Sequence, residues 1–276
     1  MPCDTTPMTV RAAAPEKSPL VVVDAVHMVF ESDDSRTEAL RGVDLRIRAG
    51  EFVAIVGPSG CGKSTLLGLI AGLRKAAAGR ISYAGLPLRG VNTRVGYVTQ
   101  QDNLLPWRTV ERNIALALEV RGVPADERRR QVAAMIELVG LNGFERHYPT
   151  ELSGGMRKRV TLARTLIYGP ETLLLDEPFG ALDAQLKMVL QAELLRIWSQ
   201  LRSTVVFVTH DLEEAILLAD RVAVMSARPG RVRLERTIDF PRPRALEDLR
   251  FTPRFREIYG ELWSLLRPEI AAGGSA

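Results

Sequence analysis

Cysteine is scarce. Cys3 and Cys61 are the only 2 in 276 residues. A disulfide framework is thereby excluded, and a reducing compartment is favoured. No uncharged apolar run approaches the roughly 18 residues needed to cross a bilayer, so no membrane-spanning helix is expected. Residues 1–19 lack the apolar centre of a secretion signal and carry Pro2, Pro7, Pro15 and Pro19 among scattered polar side chains, which predicts a disordered leader. Neither sign of charge dominates: 37 basic against 33 acidic residues leave a net +4. That balance does not demand nucleic acid, and it suits either a solvated surface or work beside an anionic membrane. No internal repeat is visible. These absences describe a soluble, cytoplasmic protein that would reach a membrane only through a partner. The composition, 46% hydrophobic and 25% charged, is that of a globular chain, and the length suits one large or two small domains.

What is present is organised around Gly57-Pro58-Ser59-Gly60-Cys61-Gly62-Lys63-Ser64-Thr65, which fits the phosphate-loop pattern G-x-x-x-x-G-K-[ST]. The apolar, β-branched stretch Phe52–Val56 ahead of it predicts a buried parallel strand, and residues 64–73 behind it predict a helix. In that context the glycines let the backbone curl so that successive N–H groups point inward as an anion nest. The helix N-terminus adds its positive end. Lys63 is placed to reach the β- and γ-phosphates of a nucleotide, and the Ser64 hydroxyl to ligate Mg²⁺.

Along the rest of the chain, residues 20–26 and 43–47 predict strands flanking a polar loop at 31–38. Phe30, just before that loop, is open to two readings, a base-stacking aromatic or a core residue. His27 and His147 read as structural. Residues 80–83 and 94–98 predict two more strands, and the polar pair Gln100-Gln101 follows the second, where parallel sheets reach ligands. Leu104, Leu105 and Trp107 form an apolar loop cluster, either a plug onto the core or a docking surface. Residues 109–151 are strongly helical; Val132, Met135, Ile136 and Val139 share one face, and the arginines 128–130 are a solvated one. Leu152-Ser153-Gly154-Gly155 precedes a helix and offers a hydroxyl, two permissive backbones and a positive helix end, a second phosphate site in outline, although such a sequence also caps ordinary helices. Thr172 to Pro178 predicts an apolar strand ending in Asp176 and Glu177. Adjacent carboxylates at a buried strand end ask for a cation or a substrate. Asp176 suits Mg²⁺, and Glu177 suits polarising an attacking water. Asp183 precedes a predicted helix over 184–201. Thr204–Thr209 predicts a further buried strand that delivers His210 to the same edge, where it can sense a γ-phosphate. Residues 221–225 complete the core, 231–238 add an outer strand, Phe240-Pro241-Arg242-Pro243-Arg244 breaks regularity, 251–267 predict an aromatic-rich helix, and 271–276 a disordered tail.

Taken in order, the phosphate loop, Gln100, Leu-Ser-Gly-Gly at 152–155, Leu-Leu-Leu-Asp-Glu-Pro at 173–178, Ala-Leu-Asp at 181–183 and His210 resemble the ATP-binding cassette family over residues 20–240. Leu-Leu-Pro-Trp at 104–107, Met-Arg-Lys-Arg at 156–159 and the Phe-Pro-Arg-Pro-Arg segment resemble its nitrate/sulfonate/taurine importer ATPases. The resemblance implies an α/β fold, a P-loop NTPase with a mostly parallel sheet core, an N-terminal antiparallel β subdomain and an inserted helical subdomain at 101–160. A C-terminal helical extension and tail would occupy 241–276.

The same resemblance implies the roles. Gly57, Pro58, Ser59, Gly60, Cys61, Gly62, Lys63, Ser64 and Thr65 hold the phosphates of ATP, and Phe30 stacks on the adenine. Ser64, Gln100 and Asp176 serve Mg²⁺. Glu177 is the general base, Gln100 contacts the metal or the water, and His210 holds the γ-phosphate. Ser153, Gly154, Gly155 and Asp183 act in trans, on ATP bound to a second protomer. Met156 stands where the family commonly has Gln, so that side-chain contact is missing. Cys61 is expected to make the loop sensitive to alkylation. One phosphate loop and one Ser-Gly-Gly per chain imply a head-to-tail homodimer. The implied partners are integral membrane permease chains and, indirectly, a substrate-binding protein, with no nucleic acid. The implied place is the cytoplasmic face of the inner membrane, and the implied cargo a small organic or inorganic anion. Another transporter class, or a soluble ATPase of DNA repair or translation, stays open as an alternative.

Overall fold

The computed structural model describes residues 18–32, 35–180 and 182–273. Over them the chain runs β1 (Pro19–Ser32), β2 (Ser35–Arg48), β3 (Phe52–Val56), α1 (Lys63–Ile70), β4 (Ala78–Tyr83), β5 (Leu86–Pro87), β6 (Val95–Val98), α2 (Val110–Val120), α3 (Ala125–Leu138), a 3₁₀ turn (Pro149–Glu151), α4 (Gly154–Leu166), β7 (Thr172–Asp176), α5 (Ala184–Leu201), β8 (Thr204–Thr209), α6 (Leu212–Leu218), β9 (Arg221–Met225), β10 (Val232–Thr237), α7 (Leu246–Leu249) and α8 (Pro253–Gly273). The strands form two sheets, a four-stranded antiparallel one in the order β2-β1-β4-β5 and a six-stranded one in the order β10-β9-β3-β8-β7-β6. In the second, β9, β3, β8, β7 and β6 are parallel, and only β10 runs the other way.

The larger sheet is the middle layer. Every residue of β3, β7 and β8 is buried, because a strand covered on both faces has to be apolar on both. Phe52, Ala54, Leu173, Leu175, Val205 and Phe207 face a core built with helices α2 to α8. Their neighbours Val53, Ile55, Leu174, Val206 and Val208 face a second core, filled by Leu66, Leu67, Leu69 and Ile70 of α1 and by the antiparallel sheet. The period of 2 along each strand thus divides one apolar run between two cores. Aromatic rings anchor the first: Phe52 meets Trp198 edge-on at 5.6 Å and Phe207 at 5.9 Å, and Phe207 meets Phe179 at 6.0 Å.

Strand order and register bring the chemistry to one edge. Val56 lies opposite Thr209 and Val224, Asp176 opposite Val208, and Val98 opposite Leu175. All five parallel strands therefore end together, on either side of the central β3, where open α/β sheets bind ligands.

Three expectations change. Residues 31–32 and 35–38, expected in a polar loop, are paired in the β1–β2 ladder, with Phe30 opposite Thr37 and Glu31 opposite Arg36; residues 33–34 lie outside the described residues. An antiparallel strand with one solvated face carries polar residues without breaking, so polarity misplaced the boundary. Pro19 opens β1, while 1–17 of the expected leader lie outside the described residues. Helix α8 runs past Arg267 to Gly273, so 271–273 are helical rather than tail; 274–276 are not described. The apolar loop cluster divides: Leu104 packs against the core, whereas Trp107 is 70% exposed. Buried Asn113 pins that loop, donating to the Leu105 and Arg108 carbonyls and accepting from the Leu105 N–H.

Because Phe207 makes two of these three ring contacts, Phe207→Ala is expected to cost about 3–5 kcal/mol of unfolding free energy. A denaturant midpoint unchanged from the parent protein would refute this account of the core.

Candidate functional site

The turn after β3 is the phosphate loop. Gly60 and Gly62 sit at φ 75° and 104°, a left-handed backbone that only glycine adopts without strain. At Gly62 a Cβ would also press within 2.6 Å of the Leu40 side chain. Helix α1 begins at Lys63 with no side-chain cap, which leaves its first N–H groups available to an anion. Lys63, 5% exposed, folds back over the loop, and its Nζ donates to the carbonyls of Gly57 and Pro58 at 2.8 and 2.9 Å.

A cleft of about 570 Å³ opens over this loop, within the size range of small-molecule sites. Phe30, Thr37 and Ala39 line one end, Ser59, Gly60, Gly62, Lys63, Ser64 and Thr65 the floor, and Gln100 and Glu177 the other end, with Arg228 at the rim. Phe30, which the sequence left between two readings, is a half-buried wall of the cleft, with the Arg74 guanidinium 5.1 Å from its ring centre. Gly57 and Pro58 lie behind the floor and reach it through Lys63.

Asp176 and Glu177, at the end of β7, are held by different partners. Ser64 Oγ donates to one Asp176 oxygen at 2.9 Å, and the Tyr97 hydroxyl donates to the other at 3.2 Å. Burial pushes the Asp176 carboxyl above its ordinary range, against the pull of those two hydrogen bonds. Burial, followed by the Asp176 charge, likewise raises the Tyr97 phenol and keeps it a donor. Glu177 adopts φ 44°, a strained backbone for a side-chain-bearing residue, fixed by its N–H donating to the Val208 carbonyl at 2.9 Å. That conformation turns Glu177 Oε2 to within 3.1 Å of His210 Nδ1.

His210 stands on a braced turn. Asp211 caps α6 by accepting from the Glu213 and Glu214 N–H groups, and the Thr209 hydroxyl bonds buried Glu214. Glu214 also meets Lys187 of α5 at 2.8 Å, and Lys187 meets Asp211 at 2.7 Å. Burial raises the Glu214 carboxyl in spite of that ammonium. Gln100 is tied to the helical region by its carbonyl, which accepts from Lys158 Nζ of α4 at 2.7 Å.

The structure does not bring Ser153, Gly154, Gly155 or Asp183 into the cleft. Ser153 caps α4, accepting from the Met156 N–H at 3.3 Å, and Asp183 caps α5, accepting from the Leu186 N–H at 2.9 Å. The two caps are packed together, since a Cβ on Gly155 would meet the Leu186 side chain at 2.7 Å. Ala181, between Glu177 and Asp183 in the chain, lies outside the described residues. The alkylation expectation for Cys61 is overturned: the side chain is 1% exposed in the inter-sheet core, and burial pushes the thiol up, away from its reactive thiolate.

Tyr97, Lys187, Glu214 and Arg228 were not singled out from sequence, and Lys158 entered only as part of the Met-Arg-Lys-Arg motif. Tyr97 carried a weak signal, as the polar-tipped residue that shares the Val95 face of β6. The others are charged residues on helices or loops, where a solvated face is the ordinary reading.

Residues 40–180 match the ABC transporter family. An uncharacterised ABC transporter ATP-binding protein of Methanocaldococcus jannaschii is 44% identical over 248 residues, 90% of this chain and 91% of that one. An aliphatic sulfonates import ATP-binding protein of Bacillus licheniformis is 45% identical over 229 residues, covering 83% and 87%. Among solved structures, a dimeric post-hydrolysis ATP-binding cassette bound to ADP and phosphate superposes with a TM-score of 0.71 at 31% identity, covering 80% of this chain and all of that one. With the phosphate loop, the paired acids and the histidine gathered at one sheet edge, these likenesses agree: the chain belongs to the ABC transporter family.

Proposed function

We propose that this chain is the ATP-hydrolysing subunit of an importer for a small anion of the sulfonate class, acting through separate permease chains in the membrane. Membership of the family makes it an ATPase that uses Mg²⁺. The observation that carries the finer reading is the division of the site. Phosphate loop, Glu177 and Gln100 line one cleft, while the Ser153 and Asp183 caps lie outside it. A single chain then holds two half-sites, and two chains related by a two-fold axis complete both. The sulfonate class is supported by the relatives' names, and the separate permease by the absence of a sufficiently long apolar helix among the described residues. Such a subunit works at the cytoplasmic face of the membrane, and a substrate-binding protein would hand the anion to the permease.

In this reading residues 20–240 are the ATPase unit, and 241–276 extend it. Phe30 stacks on the adenine. The loop N–H groups and the N-terminus of α1 receive the phosphates, and Lys63 exchanges the Gly57 and Pro58 carbonyls for phosphate oxygens. Among the described residues no three His, Cys, Asp or Glu side chains converge as a cage. That suits Mg²⁺, which keeps waters and phosphate oxygens and takes only one or two protein carboxylates. The donors present fit it: the Ser64 hydroxyl, the Asp176 carboxylate 2.9 Å away, and Gln100 across the cleft. Bound there, Mg²⁺ would supply the positive charge that offsets the phosphate oxygens. Glu177 takes the proton of the attacking water, and His210 fixes the Glu177 carboxylate and meets the γ-phosphate. Loss of that phosphate releases the second protomer, a switch set by one charged group.

Two variants test this. Glu177→Gln keeps the shape and removes the base, so ATP hydrolysis is expected to fall at least about 100-fold while ATP binding persists. In size-exclusion chromatography the variant should run as a dimer with Mg·ATP and as a monomer without it. Undiminished hydrolysis would remove Glu177 from the role, and a monomer in both conditions would remove the ATP-bound dimer.

Asp176→Asn exchanges a buried charge for a neutral amide. Because the folded carboxyl's pKa is raised, its ionisation costs the fold stability once the pH exceeds that value, and costs nothing below the ordinary aspartate range. Thermal melting should therefore show the nucleotide-free variant more stable than the parent at pH 8, with the gap closing in acid, although Mg²⁺-dependent hydrolysis is lost. Equal melting points at both pH values would contradict the electrostatics described.

A further inference from the structure

The loop between β9 and β10 meets the phosphate loop at the rim of the cleft. Arg228 donates through Nε and Nη2 to the Gly60 carbonyl at 3.2 and 3.1 Å. Across a planar trans peptide, C=O and N–H point in opposite directions. Holding the Gly60 carbonyl on one side therefore fixes the Cys61 N–H on the other, where it donates to the Pro58 carbonyl at 3.3 Å and closes the turn of the phosphate loop.

Arg228 is itself held on both sides. Gly230 donates to the Ala39 carbonyl at 2.9 Å and accepts from the Arg41 N–H at 3.0 Å, which fastens the loop to β2. Gly230 also lies so close to the phosphate loop that a Cβ there would fall 2.0 Å from the Cys61 carbonyl. Ser226 Oγ closes the loop on itself by accepting from the Arg231 N–H at 3.0 Å. The preceding N–H, of Ala227, donates to Glu269 Oε2 at 2.8 Å, and the other oxygen of Glu269 faces Arg233 at 3.4 Å. Glu269 belongs to α8, far along the chain from the phosphate loop. A continuous set of contacts thus runs from the C-terminal helix through Glu269, Ala227 and Arg228 to Gly60.

We infer that Arg228 is a positioning residue for the phosphate loop, and that the C-terminal helix, through Glu269, sets nucleotide affinity by holding Arg228 in place. This rests on the reading of the cleft as an ATP site. It assigns to α8 a function beyond packing, since a displacement of the helix would loosen the Gly60–Cys61 peptide without touching the catalytic acids.

Full-length Arg228→Ala, Arg228→Lys, Glu269→Ala and Glu269→Gln, and the Arg228→Ala/Glu269→Ala double variant, test it by titration with a fluorescent ATP analogue and by steady-state ATPase assay. Arg228→Ala is expected to weaken nucleotide binding about tenfold, or about 1.4 kcal/mol, with kcat falling less than threefold. Glu269→Ala should weaken binding in the same direction, and Glu269→Gln, whose amide oxygen still accepts from the Ala227 N–H, should restore it. Arg228→Lys, with one donor group in place of the fork, should fall between. The double variant should bind no worse than Arg228→Ala alone, because both changes break one chain of contacts.

Affinity equal to the parent in Arg228→Ala, or additive losses in the double variant, would overturn the brace. So would a lowered melting point with unchanged affinity, which is all that a merely structural contact would show. Failure of the parent protein itself to bind the analogue would overturn the ATP-site reading and the brace together, and is read separately from the variants.

Discussion

A loop that turns its N–H groups toward an anion turns carbonyl groups toward the protein, and each of these requires a donor once it is out of water. Much of this structure answers that requirement. Lys63 serves Gly57 and Pro58 from inside the loop, and Arg228 serves Gly60 from the rim of the cleft. The first turn of α1 serves Gly62, through the Leu66 N–H at 2.9 Å. The two kinds of donor differ in consequence. In the proposed ATP complex Lys63 would leave its carbonyls for phosphate oxygens, whereas the Arg228 fork would stay on the Gly60 carbonyl and preserve the shape of the loop.

The acids beside the loop show the complementary cost. Asp176 is buried with its pKa raised, and Glu177 is strained at the backbone. Both conditions disfavour the empty protein, and both are sustained by rigid surroundings: Val208 in the adjoining strand, Tyr97 from β6, and the Thr209–Glu214–Lys187 network beneath His210. Stability surrendered at a functional site and recovered in the core is a common division. Here the core that recovers it is the same sheet, one residue further down each strand.

What could be read from the sequence follows from the range of the physics involved. Strands β3, β8 and β9 and helix α5 stand where the residues placed them, since burial on both faces, or a cap and a long periodic run, writes itself locally. The ends of β1, β2 and α8 did not, because there polar residues sit in ladders and helices whose stability comes from packing elsewhere. The motifs of the cleft were legible for a related reason: each lies immediately after a strand, so local order places it. Tyr97 and Arg228 were not, since their partners are 79 and 168 residues away and only the folded sheet brings them together. Cys61 was misread because Ser59 and Gly60 just before it are exposed while its own side chain turns into the inter-sheet core.

The separation of Ser153 and Asp183 from the cleft also constrains how a second protomer would act. Leu186 lies one turn into the helix that Asp183 caps, and its side chain fills the space that Gly155 leaves open. A side chain at 155 would force the two helix starts apart. As they stand, the Ser-Gly-Gly turn and the Asp183 turn are packed as one body, so neither can approach a neighbouring nucleotide without the other. In the proposed dimer the partner's contribution would then arrive as a single rigid edge. A γ-phosphate that draws in Ser153 would at the same time seat Asp183 beside the opposite phosphate loop, and the loss of that phosphate would release both at once. Closure governed by such an edge is close to all-or-none, which is the property a transport cycle needs from the protein that drives it.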